Sequence, residues 1–132
     1  MRAALRAGLA YFAAVFALGF VLGTIRTLWL APRFGALAAV AFELPVMIAV
    51  SAFACRICLR RFEVPDATAP RLAMGALAFA LLMLAELAIS VWLSNLTVRG
   101  HFALYARAEH QLGLAGQIVF ALLPLWLRRR GR

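Results

Sequence analysis

The sequence predicts an all-α integral membrane protein, a four-helix bundle built of two antiparallel helical hairpins. Three observations predict it: 66% of the residues are apolar, they gather into four long runs, and arginines punctuate the ends of those runs. An ordinary globular domain is nearer half apolar, so this chain is expected to dissolve in lipid. A helix crossing the ~30 Å hydrocarbon core needs about 20 apolar residues. Four such runs with their connections use most of the 132 residues. The expectation is therefore one transmembrane domain over 1–132, with no room for a separate soluble one.

Helix 1 is expected over about 8–30. Arg2 and Arg6 precede its apolar run as they would in a signal sequence. The run is longer than the roughly 7–15 apolar residues of a signal, so a retained helix is expected. Gly19 and Gly23 form a small-xxx-small pattern, which lets two helix backbones approach closely in lipid. Arg26 follows Gly23 by three residues and shares its face, placing a charge at the same expected interface. Arg26 is also only ~6 Å from the helix end, within reach of headgroups, so pairing and snorkelling both stay open.

Ala31-Pro32-Arg33-Phe34-Gly35 reads as a short turn that makes helices 1 and 2 antiparallel neighbours. Helix 2 is expected over about 36–59, with Glu43 ~12 Å below the turn, too deep for a short carboxylate to reach headgroups. Pro45 removes a backbone donor two residues on and is expected to bend the helix there. Cys55 and Cys58 are spaced like a thiol-disulfide motif, but no surrounding redox signature supports one. They read as small apolar fillers.

The polar stretch Phe62 to Pro70 separates the two hairpins. Helix 3 is expected over about 72–93, with Glu86 ~13 Å from its far end and Ser90 one turn further on. Running antiparallel to helix 2, it brings Glu86 to nearly the depth of Glu43. The connection 95–111 carries Phe102, Tyr105, Arg99 and Arg107, which suits a short helix lying in the membrane interface. His101, Glu109 and His110 lack a supporting ligand motif, so neither a metal nor another cofactor is expected. Helix 4 is expected over about 112–127, with Gln117 near the depth of the two glutamates.

Ten of the fourteen arginines fall at the N-terminus, in the connection between helices 2 and 3, and in the C-terminal tail. Arg26, Arg33, Arg99 and Arg107 fall on the other side. Positive-inside bias then puts both termini in the cytoplasm. It also explains the net charge of +9 without a nucleic-acid partner. The expected partners are the bilayer, anionic headgroups at the cytoplasmic face, and a second copy of the chain or another membrane protein.

The segments GFVLGTIRTLWLAPRFG, ELPVM, RLAMGALAFALLMLAELA and LAGQIVFALLP together resemble small four-helix inner-membrane proteins of proteobacteria, usually recorded as uncharacterised. The resemblance covers most of the chain. It implies a bacterial inner membrane and carries no activity.

Ionisable side chains at bilayer depth are rare and form functional hypotheses by default. Arg26, Glu43, Glu86 and Gln117, one from each expected helix, make that cluster here. It supports two functions of different class. As a polar lock, with Arg26 on one carboxylate and the other protonated or bonded to Gln117, it suits an accessory or assembly component. As a site for a proton or cation, it suits a small transporter or channel acting as an oligomer. An enzyme reading lacks a nucleophile-base pair, a phosphate loop or a recognisable metal set.

Overall fold

The computed structural model describes residues 2–93 and 95–127. The C-terminal arginines 128, 129, 130 and 132, counted above toward topology, lie outside the described residues. All regular structure among the described residues is helical. Helix α1 (Arg2–Ile25) runs through a π-helical turn (Arg26–Leu30) into the short α2 (Ala31–Phe34). Then follow α3 (Ala36–Arg61), α4 (Thr68–Trp92), α5 (Val98–Ala103), a 3₁₀ turn (Leu104–Ala106) and α6 (Ala108–Trp126). Three segments, Arg2–Phe34, Ala36–Arg61 and Thr68–Trp92, are long and apolar enough to cross a membrane.

The expected turn over 31–35 is corrected to a single residue. The chain stays helical to Phe34 and breaks only at Gly35, where φ is 88°. A side chain at that φ would be strained, so glycine is required there. Pro32 does not stop the helix because the wide turn before it absorbs the defect. There the Ala31 amide bonds back to the Arg26 carbonyl, one residue further than in an α-helix. That spacing accommodates a proline ring and its missing donor.

Helix α6 also differs from expectation, beginning at Ala108 rather than near Leu112. Its first turn therefore holds Glu109, His110 and Gln111, and it is not among the three segments apolar enough to span. The polar first turn is stabilised at a helix N-terminus by Glu109, whose charge complements the helix dipole.

Helix α1 packs against α3 and α4, and α6 packs against the same two helices. Among the described residues, α3 and α4 have no close backbone approach and face each other across a diagonal. The core lies at one end of this arrangement, where Ala4, Ala7, Tyr11, Cys55, Met74, Ala78 and Leu123 are buried. Tyr11 is wholly buried; its ring stacks on Phe120 at 4.3 Å and its hydroxyl donates to the Phe120 carbonyl at 2.7 Å. That bond satisfies the one polar atom a buried tyrosine brings with it.

The tight packing comes from glycines other than those expected. A Cβ on Gly8 would lie 2.9 Å from the Met74 carbonyl oxygen, and one on Gly75 would overlap the carbonyl oxygen of Ala121. Thus α4 meets α1 and α6 at adjacent residues, backbone against backbone. By contrast, Gly19 would meet only the flexible tip of Met47, and Gly23 only the Arg26 guanidinium at 3.5 Å. The close helix contact expected at Gly19 and Gly23 is therefore displaced to Gly8 and Gly75. Spacing alone marks glycines that permit close contact, and the chain uses a different pair.

This contrast makes a prediction. Gly75→Ala should destabilise the protein by about 2 kcal/mol or more, because the added methyl collides with backbone that cannot move aside. Gly23→Ala should be neutral or add up to about 1 kcal/mol through helix propensity. Thermal unfolding in detergent reads both; equal effects at the two positions would contradict the assignment.

Candidate polar cavity

The core ends about halfway along the helices, and beyond it they border an open cavity of about 780 Å³. Its walls come from α1, the π turn, α3, α4 and α6, and its rim from the connection before α6. Arg26, Glu43, Glu86 and Gln117 all line it. They form two pairs. Arg26 Nη1 donates to Glu43 Oε2 at 2.6 Å, with side-chain exposures of 34% and 10%. Gln117 Nε2 donates to Glu86 Oε1. The first pair joins the end of α1 to α3, and the second joins α4 to α6.

Local sequence explains these positions. Arg26 opens the π turn imposed upstream of Pro32, and Glu43 lies as far after Gly35 as Arg26 lies before it, to within one residue. The hairpin therefore brings the two level. Pro45 lies inside α3, where it cannot donate to the Ala41 carbonyl. Next to Glu43, Leu44 packs against Gly116, where any Cβ would overlap its Cδ1. Gly116 thus seats α6 against α3 and sets the position of Gln117. Gly113 has open space where a side chain would be, and it borders the cavity.

The rim is folded down onto the helices. His101 is buried, and its Nδ1 lies 2.6 Å from Ser90 Oγ on α4. Thr97 caps α5 by accepting from the Gly100 amide. His101 and Tyr105 rings meet edge-on at 5.7 Å, and Tyr105 also contacts the His110 ring. Burial, and then the Glu86 carboxylate, raise the Tyr105 hydroxyl above its ordinary pKa. Burial lowers His110 below its ordinary pKa. Arg107 lies 4.0 Å from Glu109 at the mouth. Among the described residues no group of His, Cys, Asp and Glu is arranged to hold a metal ion.

Two residues escaped sequence reasoning. His101 is a tether through Ser90, and only the position of Ser90 one turn beyond Glu86 hinted at it. Arg71, read from sequence as a topology marker, is 6% exposed at the opposite end. It donates to the Pro124 carbonyl at 2.9 Å and the Pro65 carbonyl at 3.3 Å, and lies 3.7 Å from Asp66. An aspartate five residues upstream in a short polar loop was the available signal. Cys55 and Cys58 are both free thiols buried in the core, remote from the cavity lining.

No protein-family model, curated protein or solved structure matches this chain.

Proposed function

We propose that the chain is a multi-pass protein of a bacterial inner membrane, a four-helix bundle with both termini cytoplasmic, acting as an accessory or assembly component. The observation that carries this reading is the pairing of the cluster: each of its four side chains is spent on a residue of a different helix. Interhelical polar pairs of this kind hold helices in register where lipid supplies no hydrophobic drive between them. The outer surface supports the membrane setting. Leu28, Phe53 and Leu84 face outward, as do Trp29 and Trp92 at one end and Trp126 at the other, as aromatic belts do at the two interfaces. Arg2, Arg6, Arg56, Arg60, Arg61 and Arg71 fall at the core end, which supports a cytoplasmic assignment for that end. The resemblance to small proteobacterial inner-membrane proteins points the same way.

The lock predicts a specific rescue. Arg26→Ala should cost about 2 kcal/mol, below the ~3–5 kcal/mol of a fully buried pair because a third of the arginine is open. Adding Glu43→Gln should recover most of that loss, whereas adding Glu86→Gln should not. Unfolding of the three variants in detergent decides it, and rescue by either glutamine alike would refute the pairing. For topology, a reporter active only in the periplasm should be active when inserted at Gly100 and silent when fused after Trp126.

A proton- or cation-linked transporter acting as an oligomer is the second reading, and one observation favours it. Glu86 has a neutral amide as its hydrogen-bond partner, so it can take up and release a positive charge without breaking an ion pair. This reading predicts pH-driven flux in liposomes that Glu86→Gln abolishes while leaving the fold intact. Wild-type liposomes without flux under proton and cation gradients would eliminate it.

A further inference from the structure

We propose that the cavity is a binding site for a protonated amine bearing apolar groups, held by Glu86. The charges lining the cavity lead to this class. Its carboxylates are Glu43, Glu86 and Glu109, and its arginines are Arg26 and Arg107. Arg26 is taken by Glu43 and Arg107 by Glu109. Among the described residues no cationic side chain forms an ion pair with Glu86, and Ser90 engages His101. One acid is therefore without an ion-pair partner, in surroundings where ionising it is costly unless a counter-ion joins it.

A second observation points to a donor. Oε1 of Gln117, beside Glu86, is buried with no hydrogen-bond partner. The wall thus has a spare acceptor beside an acid without an ion-pair partner, and an ammonium supplies what both require. The remaining lining is largely apolar, with Val15, Phe16, Leu82, Ile89 and Phe120 among it. At about 780 Å³ the space falls within the range of ordinary small-molecule sites, roughly 300–1,000 Å³. Apolar walls around one uncompensated carboxylate select a cation whose other substituents are hydrophobic. The inference concerns binding, and it holds whether the bundle is an accessory component or moves ions.

The test uses the full chain in lipid nanodiscs with 1-naphthylmethylammonium as probe and 1-naphthylacetate as its charge-inverted counterpart, followed by calorimetry. Wild type should bind the amine saturably and the carboxylate not at all. Glu86→Gln should weaken amine binding by about tenfold or more, while Glu63→Gln, which removes the same charge far from the cavity, should leave it unchanged. Absence of saturable amine binding, equal binding of the two probes, or full affinity in a folded Glu86→Gln protein would each overturn the proposal. The discrimination between amine and carboxylate is read on wild type alone, so it stands even where Glu86→Gln fails to fold.

Discussion

The structure depends on the contact of α4 with two backbones at once. At Met74 and Gly75 the helix has α1 on one side and α6 on the other, near enough that Gly8 and Gly75 admit no side chain. In lipid, helices gain little from merely hiding apolar surface from one another, so they associate through dispersion and polar contacts at close range. Small residues make that range attainable. Ala4, Ala7 and Ala78 continue the small-residue surface at the same end, and the Tyr11 hydroxyl and the Arg71 guanidinium fasten it by reaching carbonyls of α6.

The cavity follows from the same packing. Towards the other end larger side chains, Phe16, Leu82, Ile89 and Leu114 among them, line the cavity. Polar side chains then bridge what backbones do not. The diagonal placement of α3 and α4 also sets who pairs with whom. Glu43 and Glu86 stand on opposite helices across the interior, so each finds a partner on an adjacent helix instead of sharing one arginine.

Much of this was legible in the sequence. Three long apolar helices, the polar break after Phe62 and the matching levels of Glu43, Glu86 and Gln117 along their helices follow from hydropathy and helical rise, and all four cluster residues line the cavity. Which acid takes Arg26 was not legible, because both carboxylates stand at similar levels and α1 packs against both of the helices that carry them. Nor was the choice of glycines. A glycine pair at the favoured spacing says that close contact is permitted, while the contact itself is decided by the partner backbone. Pro32 misled for a related reason: proline is a helix breaker only where the preceding turn cannot widen.

That widened turn has a consequence for the helix it interrupts. An α-helix advances roughly 100° per residue, and the π turn at Arg26–Leu30 contains one residue more than an α-helical path would need. It acts as a stored insertion, setting the face presented by 2–25 out of phase with that of 31–34. Loss of one residue within 26–30 would remove the wide turn and set Pro32 in an α-helical path, where its ring meets the carbonyl four residues before it, whereas loss of one within 9–22 would turn Gly8 by roughly 100° relative to Arg26. The first helix thus contains a local phase adjuster, and Arg26 stands at the point where the two phases meet.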